Sequence, residues 1–276
     1  MSHNHQKKIA VINDFCGFGR CSIAASLPII SAMKIQCCPL PTSIFSNHTG
    51  FESFFYTDFT EYMDAYMDEW VKLDLHFHGI LTGFLGSPEQ IRIVKRFLEL
   101  FKKENNITVI DPVMGDYGKL YPTYSPILAE QMCELVPYAD ILTPNLTEAC
   151  ILTGTEYQAD MDEKGLAEIC RQLSDRGPKK IVISGLERGN DLENFIYEAE
   201  KEPQIIREHK VGSCRSGTGD VFSSIIAADV INGKSFVESV CHASSFIAKV
   251  LRRTLELDLP KTDGICFEEF LFEING

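Results

Sequence analysis

The sequence has no excess of positive charge. Its 276 residues carry 26 Lys and Arg against 39 Asp and Glu, which gives a net charge of −13. Nucleic acids and anionic membranes are bound through basic surfaces, so this charge argues against both as partners. No run approaches about 18 apolar residues, the length of a transmembrane helix. Because the first residues, MSHNHQKKIAVIN, also lack the apolar segment of a signal peptide, we expect a cytoplasmic protein.

The sequence also lacks the cysteine spacings of a metal site or a disulfide framework. Its ten cysteines are scattered, with no CxxC pair and no histidine spacing typical of zinc. Reduced and mostly buried thiols are therefore expected. No internal repeat, low-complexity tract or linker interrupts the chain, and its length is sufficient for one large core. We expect a single domain over residues 1–276.

Short apolar segments alternate along the chain with longer amphipathic ones. The short segments are almost continuously apolar, as in parallel strands that are buried on both faces. The predicted strands are Lys8–Asn13, Cys37–Leu40, Gly79–Thr82, Thr108–Asp111, Ile141–Thr143 and Lys180–Ser184. Two later segments, Asn194–Glu200 and Gln204–Val211, flank Glu202-Pro203 and predict a β-hairpin.

The amphipathic segments predict helices between these strands. Ser87–Glu104 begins with Ser-Pro-Glu, a helix-capping pattern, and Asp162–Arg176 ends before Gly177-Pro178. Two long helices are predicted near Thr218–Asn232 and Phe236–Arg253. Such alternation is typical of an α/β fold, with helices on both faces of a central, mostly parallel sheet. In such a sheet, ligands bind at the carboxyl ends of the strands.

The first strand leads into Asn13-Asp14-Phe15-Cys16-Gly17-Phe18-Gly19-Arg20, which contains a Gly-x-Gly pattern. A dinucleotide fingerprint would need a third glycine where Ser22 stands and an acidic residue about 20 positions later, and both are missing. A tight turn between strand and helix explains the glycines equally well. Asp14, at the end of a strand, is the candidate for a polar contact with a substrate.

Two aromatic segments follow other strands. Phe45 opens the segment FSNHTG, and Phe84 lies between two glycines in TGFLGS. Phe84 in this place suits contact with the flat ring of a ligand, and a position in the core fits the pattern equally well. His48, taken alone, is more typical of a structural hydrogen-bonding residue.

Carboxylates follow two more strands. Asp111 and Asp116 flank the turn in DPVMGD, and such a pair suits Mg²⁺, which prefers carboxylates, water and phosphate oxygens. An Asx-type turn is the alternative. In TPNLTE, which begins at Thr143, Asn145 and Glu148 are spaced for a helix capping box as well as for ligand binding.

The segment GSCRSGTGD, which ends at Asp220, is followed by an apolar helix. Glycines at a helix start expose backbone N–H groups, and the helix dipole adds positive potential there. Gly217–Asp220 therefore predicts a site for an anion or a phosphate. Asp220, in the first turn, would stay ionised and accept a proton from an alcohol. A simple helix cap is the alternative.

These six segments together resemble one family. The GTGD sequence at the start of a late helix, with DPVMGD and TPNLTE upstream, is similar to the ribokinase-like superfamily. FSNHT and TGFLGS narrow the resemblance to vitamin B6 kinases, which act on pyridoxal, pyridoxine and pyridoxamine. The resemblance extends from Ile9 to about Arg253. It implies a ribokinase-like fold, ATP and Mg²⁺ as cofactors, a monovalent cation as a further candidate, and a homodimer.

The resemblance also implies a role for each matching residue. The residues implied for catalysis are Asp220, as general base for the 5′-hydroxymethyl group, and Gly217, Thr218 and Gly219, as the anion hole around the γ-phosphoryl group. Those implied for ATP and Mg²⁺ are Asp111, Asp116, Thr143, Asn145, Glu148 and Ser184, with Asp111 and Glu148 as the metal ligands. Those implied for the B6 substrate, besides Asp220, are Asp14, Phe45, Thr49, Gly50, Phe84 and Tyr121. Tyr121 would lie on a flexible loop that closes over the reactants.

Two positions depart from the pattern of the family. Asp14 stands where Ser is frequent, and Phe84 where Tyr is common. A carboxylate at position 14 would favour an aminomethyl group, so we expect pyridoxamine to be a good substrate. Two other functions stay open: a kinase for hydroxymethylpyrimidine or a sugar, and a non-catalytic regulator that binds a nucleotide or vitamin B6. Phe45 and Phe84 suit a flat ring better than a polyol, and a regulator would be expected to lack Asp220.

Overall fold

The computed structural model describes residues 2–275 and contains two layers of helices around a central sheet. The strands are β1 (Lys8–Cys16), β2 (Gln36–Phe45), β3 (Tyr56–Asp58), β4 (Gly79–Thr82), β5 (Ile107–Ile110), β6 (Gly115–Asp116), β7 (Lys119–Leu120), β8 (Ile141–Leu142), β9 (Lys180–Arg188), β10 (Asp191–Glu198) and β11 (Gln204–His209). The α-helices are α1 (Ser22–Ala32), α2 (Thr60–Lys72), α3 (Pro88–Phe101), α4 (Pro126–Met132), α5 (Leu146–Thr153), α6 (Glu163–Ser174), α7 (Thr218–Asn232) and α8 (Phe236–Glu256).

Nine strands form one sheet in the order β11-β10-β9-β8-β5-β4-β1-β2-β3, and β6 pairs with β7 in a separate ribbon. The six strands from β9 to β2 in this order are parallel to one another. The edge strands β3, β10 and β11 pair in antiparallel fashion. The expected central, mostly parallel sheet is therefore confirmed, and all six parallel strands end at the same edge.

The sheet separates two hydrophobic cores, and β1 contributes alternate residues to each. Ile9 and Val11 face the core formed with α1, α7 and α8. Ala10 and Ile12 face the core formed with helices α2 to α6. Because successive side chains of a strand point to opposite faces, a strand buried on both sides must be apolar throughout. This explains why the strand segments are continuous apolar runs.

Local signals set the ends of several helices. Ser87 caps α3, and its side chain accepts a hydrogen bond from the backbone N–H of Gln90. Helix α7 begins after Gly217 and ends before Gly233, and both glycines adopt left-handed backbone conformations. Its bounds are those predicted, because left-handed residues at both ends stop the helical hydrogen bonding and glycine adopts them without strain.

Several elements differ from the predicted ones. Strand β2 reaches Phe45, although Pro39 and Pro41 lie within it, because β1 and β3 supply its pairing. Helix α2 was not expected, since it is mostly polar and buries only Met63 and Met67. The first strand of the predicted hairpin, β10, begins earlier than predicted because it pairs with β9 as well as with β11.

Within the described part of the chain, no helix combines the length and the apolar character that a bilayer crossing requires.

Candidate active site

The carboxyl edge of the parallel strands brings the predicted site residues into one row. Because the strand order is β9-β8-β5-β4-β1-β2, residues that are distant in the chain become neighbours. Along this edge, the order of the predicted residues is Ser184, Thr143, Asp111, Phe84, Asp14 and Phe45. The residues predicted to contact the nucleotide therefore lie at one end of the row, and the aromatic residues at the other.

Asp220 lies in the first turn of α7 and reaches toward the middle of this row. Its Oδ1 accepts a hydrogen bond of 2.9 Å from Asn13 Nδ2. Burial raises the pKa of Asp220, and the bond from Asn13 and the nearby backbone N–H of Ser22 oppose that rise because they favour the charged form. The result is a carboxylate that is oriented by Asn13 and is more basic than one in water.

The N-terminus of α7 forms a cradle of backbone amides. Gly217 has a φ of +81°, and a Cβ there would collide with the backbone carbonyl of Arg20. The first backbone bond of the helix joins Val221 N–H to Gly217 O, so the amides of Thr218 and Gly219 have no helical acceptor. A Cβ built on Gly219 would meet no heavy atom of the described residues within 4 Å. An anion can therefore approach these amides closely.

Three carboxylates, those of Asp111, Asp116 and Glu148, belong to the part of the site that was predicted to bind ATP and Mg²⁺. Burial, and then the charge of Asp220, raise the pKa of Asp111 to about 8. Burial, and then the charge of Asp111, raise the pKa of Glu148 well above its usual range. Asp116 is half-buried, and burial also raises its pKa. Buried carboxylates that repel one another are the environment in which a divalent cation is favourable.

The donor set suits Mg²⁺ rather than a structural metal. Among residues 2–275, no three or more His, Cys, Asp or Glu side chains converge as a metal-binding group. Mg²⁺ needs only one or two carboxylates, because water and phosphate oxygens complete its octahedron. Asp111 and Glu148 fit that requirement.

Glu148 and Asn145 also form a capping box at the start of α5. Asn145 Oδ1 accepts from Glu148 N, and Glu148 Oε2 accepts from Asn145 N, both at 2.9 Å. Glu148 Oε1 accepts from Met114 N at 3.0 Å, and Asn145 Nδ2 donates to Gly115 O at 2.8 Å. The capping alternative is thus real. It leaves each Glu148 oxygen with a lone pair for a cation, and it leaves the Asn145 amide with one N–H donor for a ligand.

Thr143 and Ser184 lie at the end of the row that is opposite the aromatic residues. Thr143 is buried, and its Oγ1 has no hydrogen-bond partner among the described residues. Ser184 is half-buried, and its N–H donates to Pro144 O at 2.9 Å. A buried hydroxyl without a partner carries a desolvation penalty, so Thr143 is suited to accept or donate a bond to a ligand.

The other end of the row is an aromatic cluster. The Phe45 and Phe84 rings have centroids 6.3 Å apart at an interplanar angle of 72°. Tyr56 packs on Phe45 at 4.8 Å, and Tyr124 packs on Phe84 at 5.9 Å. Thr42 Oγ1 donates to Phe84 O at 3.0 Å and fixes the backbone of that residue. The aromatic surface suits a flat ring.

Thr49 and Gly50 lie on the exposed loop that follows β2. His48 anchors the loop: its Nε2 bonds to Thr262 O at 2.7 Å, and its Nδ1 accepts from Gly50 N at 3.1 Å. These bonds agree with the expectation that His48 is a structural hydrogen-bonding residue. Contact of Thr49 and Gly50 with a substrate stays a prediction.

Tyr121 follows the β6-β7 ribbon, so the stretch predicted to be a flexible loop contains regular pairing. Tyr121 N donates to Met114 O at 2.9 Å, and Gly118 N donates to Thr147 Oγ1 at 2.8 Å. The ribbon is thus attached to α5 and stands beside the carboxylates. Burial raises the pKa of Tyr121, so its hydroxyl stays protonated.

Asp14, which was predicted to contact a substrate, is buried beside Asp220. Its backbone N–H donates to Asn13 Oδ1 at 2.9 Å, and the nearby Ser22 side chain favours the charged form of its carboxylate. Burial raises the pKa of Asp14 from 3.8 to about 7, with a smaller contribution from the charge of Asp220. The side chain is therefore partly protonated near neutral pH.

Sequence reasoning did not assign a role to Asn13, Ser22 or Tyr124. Asn13 stands directly before Asp14, and a polar residue at the end of an apolar strand was the available signal. Ser22 was considered only as a missing glycine. Tyr124 lies in the polar stretch after β7, where no local pattern indicates contact with Phe84.

Comparison with known proteins adds a family and several relatives. The sequence pattern of the family described as phosphomethylpyrimidine kinase matches residues 18–263. The pyridoxal kinase of Arabidopsis thaliana is 31% identical over 236 residues, which are 79% of this chain and 72% of that protein. The hydroxymethylpyrimidine/phosphomethylpyrimidine kinase of Aquifex aeolicus is 27% identical over 190 residues, 67% of this chain and 71% of that protein.

A crystallised protein from Bacteroides thetaiotaomicron, described as belonging to the phosphomethylpyrimidine kinases, has the same fold. Its rhombohedral form superposes with a TM-score of 0.97 at 35% identity and covers 100% of this chain and 96% of that one. Its orthorhombic form, which was solved with pyridoxal, superposes with a TM-score of 0.95 over 98% and 96% of the two chains.

Proposed function

The chain belongs to the phosphomethylpyrimidine kinase family of the ribokinase-like superfamily, and we propose that it transfers the γ-phosphoryl group of ATP to vitamin B6. The acceptor is the 5′-hydroxymethyl group of pyridoxal, pyridoxine or pyridoxamine. The similarity to a pyridoxal kinase and to a structure solved with pyridoxal supports this assignment.

One observation carries the proposal. The strand order puts Thr143 and Ser184 at one end of the carboxyl edge and the Phe45 and Phe84 rings at the other, with Asp220 and the N-terminus of α7 between them. A nucleotide at the first end and a flat ring at the second would meet at Asp220. Phosphoryl transfer depends mainly on such positioning of donor and acceptor.

Asp220 would act as the base. Its carboxylate, oriented by Asn13, would accept the proton of the 5′-hydroxyl as the oxygen attacks phosphorus. Its raised pKa increases its affinity for that proton at neutral pH. The Ser223 hydroxyl donates to Gly219 O at 3.0 Å, one turn back in the first part of α7.

The amides of Thr218 and Gly219 would stabilise the negative charge on the transferring group. The dipole of the 15-residue helix α7 adds positive potential at the same point. Loss of one such donor typically costs about 3 kcal/mol, or about 10²–10³ in rate.

Asp111 and Glu148 would hold Mg²⁺, with Asp116 contributing through water. When bound, Mg²⁺ neutralises charge on the phosphate oxygens of the nucleotide. The protein also provides the rigidity of this site, because Glu148 is fixed by two backbone N–H donors.

Phosphorylation of hydroxymethylpyrimidine is the second candidate. The name of the matching family and the Aquifex aeolicus relative favour it, and this substrate also has a flat ring with a hydroxymethyl group. The same base and anion hole would serve both reactions, so only substrate preference separates the two candidates.

The test is a coupled ATPase assay with Mg²⁺ on pyridoxal, pyridoxine, pyridoxamine and hydroxymethylpyrimidine. We expect turnover of the B6 vitamers. Absence of turnover on all three vitamers would reject the B6 assignment, and turnover of the pyrimidine alone would favour the second candidate. Asp220→Asn should keep ATP binding but lose about 10³-fold or more in kcat. The exposed Asp160→Asn is the matched control, and wild-type turnover in Asp220→Asn would refute the base assignment.

A further inference from the structure

The side-chain amide of Asn13 connects three parts of the site. Asn13 is buried within β1, close to its carboxyl end. Its Oδ1 accepts the backbone N–H groups of Asp14 at 2.9 Å and of Phe84 at 2.8 Å. Its Nδ2 donates to Asp220 Oδ1 at 2.9 Å. Because both backbone donors fall on Oδ1, the orientation of the amide is determined, and its NH₂ group must face Asp220.

The neighbouring strand is shaped around this amide. Strand β4 pairs with β1 in parallel, and Gly83 N donates to Ile12 O at 2.8 Å directly after the strand. A Cβ on Gly83 would overlap the Asn13 amide, and the Asn13 Oδ1 atom would lie only 2.7 Å from it. The absence of a side chain at position 83 therefore gives Asn13 its space and lets Phe84 N reach its acceptor.

We propose that Asn13 is a positioning residue that aims the Asp220 carboxylate and couples it to the Phe84 side of the ring pocket. The proposal rests on the proposed kinase function. A neutral amide suits this task because it supplies a donor without adding a positive charge that would weaken the base. The bonds from Asp14 N and Phe84 N tie the same amide to the backbone of β1 and to that of the segment after β4.

Asn13→Asp separates the donor from the rest of the side chain. The substituted residue keeps the shape and the acceptor for both backbone N–H groups, but an oxygen replaces the NH₂ group that faces Asp220. The two carboxyl groups then compete for one proton, which lowers the fraction of Asp220 that is free to act as a base. We expect kcat to fall about 100-fold, while the KM values for ATP and for the acceptor change by less than about threefold. A purely structural residue would alter the folded fraction instead and leave kcat per folded molecule unchanged.

Asn106→Asp is the matched control. Asn106 is also buried, its Oδ1 accepts from Lys103 N at 3.1 Å, and its Nδ2 donates to Phe101 O at 2.7 Å. It lies before β5, at the opposite end of the sheet from the site. The same chemical change there should lower thermal stability and leave kcat within about twofold of wild type.

A second pair of variants tests the coupling. In Gly83→Ala, the new methyl group should displace the Asn13 amide and lower kcat. In the double variant Asn13→Ala/Gly83→Ala, the methyl group has room, so kcat should equal that of Asn13→Ala alone. A double variant whose loss of kcat is the product of the two single losses would overturn the proposal. Wild-type kcat in Asn13→Asp would overturn it as well. The assay uses whichever hydroxymethyl substrate the wild type phosphorylates, so rejection of the B6 assignment in favour of the pyrimidine leaves this test intact.

Discussion

Replacement of Asp14 by Asn should stabilise the folded protein at neutral and alkaline pH. Asp14 is buried, and burial raises its pKa from 3.8 to about 7. At a pH above both values the carboxyl must ionise inside the protein, close to Asp220, and this is unfavourable for the folded state. Asn keeps the size of the side chain and an acceptor for the Ser22 hydroxyl but has no charge to bury.

The sign and size of the effect follow from the two pKa values. The folded protein binds this proton more tightly than the unfolded chain, so stability is full below pH 3.8 and is lost as the pH rises to about 7. The loss is less than about 1 kcal/mol at pH 4 and about 4 kcal/mol at pH 8. Asp14→Asn removes this loss of stability. The melting temperature of the variant should therefore exceed that of wild type by on the order of 10 °C at pH 8 and by about 1–2 °C at pH 4.

Scanning fluorimetry of both proteins from pH 4 to pH 8 measures this difference. Asp160→Asn provides the control, because Asp160 is exposed and the same chemical change there should shift the melting temperature little at any pH. A difference for Asp14→Asn that does not grow with pH would refute the reasoning. An Asp14→Asn variant that is less stable than wild type at pH 8 would also refute it. A stabilised variant would indicate that Asp14 is kept for function at the expense of stability.

Three further predictions concern activity. Gly217→Ala should lower kcat by about 10²–10³, because the methyl group collides with Arg20 O and the left-handed backbone of the anion hole must move; unchanged kcat would contradict the proposed role of these amides. Glu148→Gln should raise the Mg²⁺ concentration for half-maximal activity about tenfold or more, and a coincident Mg²⁺ titration would exclude Glu148 as a ligand. Asp14→Ser should lower the ratio of kcat/KM for pyridoxamine to that for pyridoxal. Equal ratios in both proteins would remove the reason to link Asp14 to the amine.

The elements that could be predicted are those with signals inside the element. Helix α7 was predicted with its observed bounds because Gly217 and Gly233 stop the helix on either side of an apolar segment. Helix α2 was missed because its first residue follows Phe59, which provides no side-chain cap, and because it buries only two residues. The full length of β2 depends on β1, which pairs with it from Gln36 to Phe45, and on β3, which pairs with Ser43–Phe45; the β2 segment itself, in which Pro39 and Pro41 lack backbone donors, indicates neither partner.

The sequence by itself determined the chemistry available at each strand end: carboxylates after β5, aromatic rings after β2 and β4, and a glycine-rich helix start before Asp220. These are local patterns, and the physical preferences behind them act within a few residues. The capping box of Asn145 and Glu148 was also readable, because capping depends only on local spacing.

Only the tertiary structure decided which of these groups meet. Asn13 and Asp220 are 207 positions apart, and their hydrogen bond exists because α7 returns to the carboxyl edge of β1. Phe84 N reaches Asn13 because β4 pairs with β1, and Asp111 lies near Asp220 because β5 is the next strand. Strand order comes from the packing of the whole chain around two cores rather than from any single segment. The hydrogen bond between Asn13 and Asp220, and the raised pKa of Asp14, therefore emerge only in the folded protein.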